Sequence, residues 1–302
     1  MGLPARYEPN TDPSQLYEGI EYKDFWVGKS RVRLDDLEHS IIRDLLPSTG
    51  RRIIDIGCGF GRLADCYLDR FEQVVMLDGS MTLLRQARES LKERATYIAA
   101  DAKRLPFSGS SFDCALMMRV FHHLPDSRRA LDGVKHILGR GGCFVFNYSN
   151  KLSARRLAHR LVHLGKESPF SLEPVLSGKT LIQHHPSYVH RVLIQTGFSR
   201  MKYLGVGVTD KIPGGIGQFE GWKIFGRALA PFFGVIKLAP WIMCQAQVTE
   251  GASVEEGRSV EDLLVCPSCH RCVTRSSNAY LCQSCDRVYP IVDGIPDFRI
   301  GD

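Results

Sequence analysis

Residues 51–62, RRIIDIGCGFGR, constrain this chain more than any other stretch. Ile53, Ile54 and Ile56 form a short β-branched run of the kind buried on both faces of a parallel sheet. Gly57, Gly59 and Gly61 follow at alternate positions. Glycine accepts positive φ and lets a ligand come close to the backbone. Leu63, Tyr67 and Leu68 then carry the spacing of one helix face. Strand, glycine loop and helix start together predict a cofactor seat in an open α/β sheet.

The loop is Gly-x-Gly-x-Gly, not the Gly-x-Gly-x-x-Gly of dinucleotide binders. Asp55 ends the strand, where its charge would repel a pyrophosphate but suit a ligand carrying an ammonium and a sulfonium. S-adenosylmethionine (SAM) is such a ligand. The second strand, 74–77, ends in Asp78, 21 residues after Gly57, where a carboxylate can hold both ribose hydroxyls. A third strand over 96–100 runs into Asp101 and a fourth over 114–120 runs into Phe121, His122 and His123. Both histidines stand at the edge where α/β proteins place their chemistry, with ordinary pKa values near neutrality, and are candidate general bases.

IIDIGCGFG, VVMLDGS, AADAKRLPFSGSSFDCALMMRVFHHLPD and LGRGGCFVFNYSN, within residues 53–150, resemble a class I SAM-dependent methyltransferase of the group that includes the ubiquinone and menaquinone C-methyltransferases. The resemblance implies a doubly wound, mostly parallel α/β sheet of seven strands, the last inserted antiparallel. Strands six and seven are expected over 198–206 and 241–248. It also implies a cofactor set of Asp55, Gly57, Cys58, Gly59, Gly61, Asp78, Gly79, Asp101, Ala102 and Arg119. In that set Asp101 meets the adenine amino group, with the backbone of Ala102 beside it; as a residue type Asp101 is also an ordinary turn former.

Flanking the sheet are segments suited to the methyl acceptor. Tyr7, Tyr17, Tyr22, Phe25 and Trp26 read as a lid or a packed arm, and 31–46 as an amphipathic helix. Residues 151–164, KLSARRLAHRLVHL, read as a basic amphipathic helix, a solvated surface element or one that meets a membrane or an anionic substrate. Residues 214–240 are rich in glycine and aromatics, and Pro231, Lys237 and Pro240 interrupt them, so they do not read as a membrane span.

Ten cysteines divide unevenly: Cys58, Cys66, Cys114, Cys143 and Cys244 are scattered, and five crowd into 266–285. Cys266, Cys269, Cys282 and Cys285 form two Cys-x-x-Cys knuckles twelve residues apart, the ligand set of a structural zinc site, with His270 and Cys272 as bystanders. A segment of about forty residues cannot bury enough core without such a staple. LLVCPSC and LCQSCDRVYPIVDGIPDF further resemble the small zinc ribbons that activate RNA and release-factor methyltransferases. The expected organisation is a methyltransferase domain over 1–248, with the lid and helix at 1–46 and acceptor-side insertions at 151–240, then a linker at 249–260 and a zinc ribbon at 261–302.

The net charge of +6 permits an anionic partner without demanding one. The opening MGLPARYEPNTDPSQ has no apolar run, and the cysteine pattern suits a reducing compartment, so a cytoplasmic location is expected. Arg119-Val120-Phe121-His122 replaces the Asn/Asp-Pro-Pro-aromatic motif with which amide and amine methylases hold an amino group, and no basic run interleaved with aromatics marks a nucleic-acid groove. The expectation is therefore methyl transfer to a small or lipid-like acceptor. An RNA or protein substrate is second, and a non-catalytic adaptor that binds a protein partner through its ribbon is third.

Overall fold

The computed structural model describes residues 29–162, 168–177, 180–208 and 222–299. The aromatic segment before residue 29 and the stretch around Phe219 lie outside them.

Four parallel strands form the frame: β1 (Gly50–Ile56), β2 (Phe71–Asp78), β3 (Thr96–Ala99) and β4 (Phe112–Met117). With β5 (Leu138–Asn150) they lie in the order β3-β2-β1-β4-β5. The order turns back at β1, so the crevice for a ligand opens at the carboxyl ends of β1 and β4. β8 (Phe198–Val206) and β9 (Trp241–Val248) close the far side, with β9 antiparallel to both β5 and β8. The described sheet has nine strands, not seven. The extra pair is a hairpin, β6 (Val175–Ser177) and β7 (Leu181–His184), whose second strand pairs with the last residues of β5.

Both faces of the sheet are covered. Ile53, Met76, Leu116 and Val145 join one apolar cluster with Leu37, Ile41, Leu84 and Ala230, from α1 (Lys29–Leu45), α2 (Met81–Leu91) and α6 (Trp222–Ile236). Ile54, Ile56, Ala115 and Phe144 point the other way, toward Leu131 and Val134 of α3 (Ser127–Ile137) and Val189 and Leu193 of α5 (Pro186–Gln195). The alternation follows from the strand period of two. Local signals set several helix starts: the Ser80 hydroxyl accepts from Leu83 N–H at 3.3 Å, and the Asp126 carboxylate accepts from Arg129 N–H at 3.0 Å.

One segment departs from its sequence reading, and another folds against its local propensity. The residues after Gly61 have helical spacing but form turns with a single 3-10 turn at Ala64–Cys66, closed by Tyr67 N–H to Ala64 O at 3.1 Å. Residues 222–236 are a helix despite Gly226, Pro231 and Gly234. Gly234 explains why tertiary packing wins: a Cβ there would lie 2.1 Å from Tyr203 O, so only glycine lets α6 rest directly on β8.

The C-terminal unit is fastened to the sheet. Arg52, 2% exposed, donates to Ser111 O at 2.7 Å, Arg258 O at 2.9 Å and Glu255 O at 2.6 Å, strapping residues 249–260 along the body. Beyond, Phe298 N–H donates to Ala99 O at 2.7 Å, and Asp297 bridges β3 in parallel fashion. Leu263, Leu264, Tyr280, Tyr289 and Phe298 belong to the same buried cluster as Phe107 and Ile98. Burying side chains of this size is worth about 1.5–3 kcal/mol each, so the two units share one core.

Candidate active site

β1 and β2 deliver two carboxylates to the crevice. Asp55, 2% exposed, accepts from the Tyr67 hydroxyl at 2.7 Å. Burial pushes its carboxyl up to about 7, with the Tyr67 bond opposing and the nearby Asp78 adding to the rise. Asp78 braces the glycine loop: its two oxygens accept from Gly59 N–H and Ser80 N–H, each at 2.8 Å. Gly57 has φ +75°, and a Cβ there would meet Val120 Cγ2 at 2.1 Å. Gly59, φ +57°, has no atom within 4 Å of its missing Cβ, so a ligand can lie against it. Gly61 instead packs beneath Leu91 of α2.

Asp55, Gly57, Cys58, Gly59 and Arg119 line one crevice, with Phe60, Arg62, Leu63 and Met118. Gly79 is not among the residues that line it; its carbonyl accepts from Arg299 Nη1 at 3.0 Å, tying the C-terminal unit to the end of β2. Asp101 forms a turn, accepting from Lys103 N–H at 2.9 Å and pairing with Lys103 Nζ at 3.2 Å, with Ala102 inside that turn.

A charged lock, not anticipated from the sequence, closes the crevice from above. Glu38 of α1 is fully buried and pairs with Arg62 at 3.1 Å and with Arg119. Burial alone would raise its carboxyl; the Arg119 and Arg62 guanidiniums outweigh burial and hold it below the usual carboxylate range. Arg119 takes φ +63°, donates its N–H to Asn147 Oδ1 at 2.7 Å and stacks 3.9 Å above the Trp241 ring. The Glu38 partners lie 24 and 81 residues away, so no local pattern announces it.

Past β4 the environment changes. His122 is buried, its ring 4.1 Å from His123 and 5.0 Å from Trp241, centroid to centroid. Burial, with His123, Arg119 and His184 nearby, holds its pKa well below the usual imidazole range. His123 is also lowered by burial, against a contact of its Nδ1 with Thr180 O at 3.2 Å. His184, at the end of β7, is fully buried between Phe121 and Tyr188, and burial pushes it down to about 3. Both its ring nitrogens lack a hydrogen-bond partner among the described residues, as do His122 Nδ1, Asn147 Nδ2, Tyr148 Oη and Gln183 Oε1. Buried polar groups are normally paired, so these atoms, near the ends of β4, β5 and β7, are ones whose partners a ligand or water would supply. Asn147 and Tyr148 lie in the stretch LGRGGCFVFNYSN without a role read for them, and Gln183 and His184 carry no motif; their place at the strand ends reveals all four.

The four knuckle sulfurs come together in the C-terminal unit, all within 4.8 Å of one another. Cys266 and Cys285 sulfurs lie 3.6 Å apart and those of Cys269 and Cys282 3.4 Å. A tetrahedral site with Zn–S bonds of about 2.3 Å has edges of about 3.8 Å, so the cage needs only slight expansion to hold zinc. The Tyr289 hydroxyl lies 3.0 Å from the Cys266 sulfur, a donor suited to a thiolate. His270 and Cys272 stand outside the cluster.

Residues 54–146 match the family model of a methyltransferase domain. The chain is 34% identical over 111 residues to an uncharacterized chloroplastic methyltransferase of Arabidopsis thaliana, covering 33% of this chain and 31% of that one. It is 27% identical over 155 residues to the ubiquinone biosynthesis O-methyltransferase of Paracidovorax citrulli, covering 47% and 64%. The chain thus spans less than two thirds of the length of these relatives. The fold is that of class I methyltransferases: a chain in the complex of the Haloferax volcanii Trm112 methyltransferase activator with a methyltransferase superposes with a TM-score of 0.52 at 16% identity, covering 75% of this chain and 97% of that one. Among the described residues no helix is long and apolar enough to cross a membrane.

Proposed function

We propose that this chain transfers a methyl group from SAM to a small or lipid-like acceptor. The observation that carries the proposal is the crevice in which Asp55, the open face of Gly59 and the Asp78-braced loop meet inside a methyltransferase domain. In this reading Asp55 receives the ammonium, Asp78 the ribose hydroxyls, and Gly57, Cys58, Gly59 and Gly79 the nucleoside backbone, with Asp101 and Ala102 beside the adenine. SAM supplies a methyl already activated as a sulfonium, so the chain's task is to align the acceptor and exclude water. The Glu38–Arg62–Arg119 lock roofs the crevice. The acceptor atom takes the methyl, and its proton passes to a neutral imidazole, His122 or His123, which burial keeps deprotonated near neutral pH. The uncharged, partner-seeking atoms of His184, Tyr148 and Gln183 suit an acceptor bearing hydroxyl or carbonyl groups. One relative is an O-methyltransferase of ubiquinone biosynthesis, and oxygen as the methylated atom accords with this reading.

The Cys266, Cys269, Cys282 and Cys285 cage holds zinc in this reading. Four thiolates fill its coordination and leave no open position for chemistry, so its role is to stabilise and dock. The ten unpaired cysteines fit a reducing, cytoplasmic setting. A second reading, an RNA or protein acceptor, draws on the ribbon and on the Trm112 complex; against it stands Arg119-Val120-Phe121-His122 in place of an amide-holding motif.

Calorimetry with SAM and its demethylated product, on a chain assayed for one zinc, tests the proposal. Micromolar binding, weakened by about 1–3 kcal/mol in Asp78→Ala, is expected. If neither ligand binds, the enzyme reading falls and the adaptor reading takes its place. Metabolites lighter by one methylene in a deletion strain would then identify the acceptor.

A further inference from the structure

α6 presents an outer face that a helix on a soluble domain would normally make polar. Ile224, Phe225, Phe232, Val235 and Ile236 are 37–77% exposed, and Ala228 and Pro231 lie among them. The inner face is satisfied by Gly234 against β8 and by Ala230 in the core, and the outer apolar row stays exposed. Arg227 is the described charge on that helix, paired with Asp44 of α1 at 2.5 Å. From residue 222 to 248 the chain contains Lys223, Arg227 and Lys237 and not one Asp or Glu.

The border of this row is cationic for a second, independent reason. The end of α6 is tied to the start of α4 (Ala154–Val162): Ala154 N–H donates to Leu238 O at 2.9 Å, and Asn150 Nδ2 donates to Lys237 O and Ala239 O, each at 2.7 Å. These bonds set the first turn of α4, which carries the exposed Arg155, against the end of α6 at residues 237–239.

We infer that the outer face of α6, with the cationic start of α4 beside it, docks on an anionic membrane surface. A bilayer interface satisfies both features at once, taking apolar side chains at the acyl boundary and cations among its headgroups. A second copy of the chain would set the same cations against each other. The site gains from this position. Lys151 N–H donates to His184 O at 3.0 Å, so the docking elements join the chain at the partner-seeking histidine, and an acceptor dissolved in the bilayer would enter beside it. The docking itself does not depend on what the acceptor is.

Sedimentation of the full chain with vesicles of phosphatidylcholine alone, and of equimolar phosphatidylcholine and phosphatidylglycerol, tests it. Binding to the anionic vesicles is expected. Phe232→Glu with Val235→Glu should weaken it at least about tenfold, because two side chains no longer enter the interface. Arg155→Glu should weaken it about fivefold or more, and only for anionic vesicles. Both variants should keep the wild-type affinity for demethylated SAM, which separates loss of docking from loss of fold or of cofactor binding. Wild-type protein left in the supernatant with both vesicles would overturn the inference. So would undiminished binding by the double variant, or a dimer that the double variant dissociates while vesicles have no effect.

Discussion

The two ends of the carboxyl edge solve the problem of buried polarity in opposite ways. Around β1 and β2 each buried carboxylate has its partners in the chain: Asp55 has Tyr67, Asp78 has the Gly59 and Ser80 amides, and Glu38 has two guanidiniums. Around the ends of β5 and β7, His184, His122, Tyr148 and Gln183 hold nitrogen and oxygen atoms with none among the described residues. The first side is organised before any ligand arrives; the second leaves hydrogen bonds for a ligand to complete. In the proposed reading, a methyl donor common to many enzymes would meet a fixed seat, and the acceptor a site whose energetics depend on it.

The largest expected effect tests how far the fixed side is autonomous. Phe298 extends the sheet at β3, and Leu264, Tyr289 and Phe298 share a core with Phe107, so the cysteine cage and the cofactor seat should unfold together. Cys282→Ser, or a chelator, is expected to destabilise the whole chain by on the order of 5 kcal/mol, since metal binding free energy is folding free energy. Calorimetric melting should show one lowered transition. A separate small transition at low temperature, with the main one unmoved, would make the ribbon an appended module. The spacing of the cysteines foretold a module after a linker; it could not tell that Arg52 and Phe298 would lash that module to the sheet.

Glu38→Gln comes next. It takes the buried counter-charge from Arg119 and leaves Arg62 to its pairing with Asp35, and breaking such a buried pair costs about 3–5 kcal/mol. Denaturant unfolding should register it. A loss below about 1 kcal/mol would mean that the Arg119 guanidinium finds water, and that the cofactor side is less closed than its geometry indicates.

What the sequence disclosed follows the same division. The strand ends Asp55 and Asp78, the alternating glycines and the paired cysteine knuckles lie within short windows, where chemistry and spacing appear together. Glu38 looks like any helical glutamate until folding brings Arg62 and Arg119 to it. The β6–β7 hairpin is too short for a period-two signal, and α6 hides behind Gly226, Pro231 and Gly234 because its stability comes from contact with β8 rather than from propensity. Tyr67 was legible as a spaced apolar position but not as the hydroxyl that holds Asp55.

On the acceptor side a gain in stability is expected. His184 forfeits its hydrogen bonds in a ring-lined site, so His184→Phe should stabilise the free protein by about 1–2 kcal/mol while abolishing methyl transfer and sparing SAM affinity. Thermal melting and product-binding calorimetry on one preparation measure both. Destabilisation would show that His184 serves the fold, and the contrast between the two sides would shrink.

The smallest effect concerns protons. In the free protein Asp55 titrates near pH 7, because burial disfavours its charge more than Tyr67 supports it. An ammonium placed beside it favours the ionised form and lowers that pKa. Below pH 7 SAM binding must therefore expel a proton, so affinity should rise with pH up to about 7, by no more than about tenfold per pH unit, and fall again above about 8, where the free α-amino group loses its own proton. Calorimetry in two buffers of different ionisation enthalpy should find proton release at pH 6 and proton uptake at pH 8, and Asp55→Asn should remove the release at pH 6. Proton uptake at pH 6 would place the ammonium elsewhere. It would also mean that the fixed side, like the acceptor side, leaves one of its buried groups for the ligand to settle.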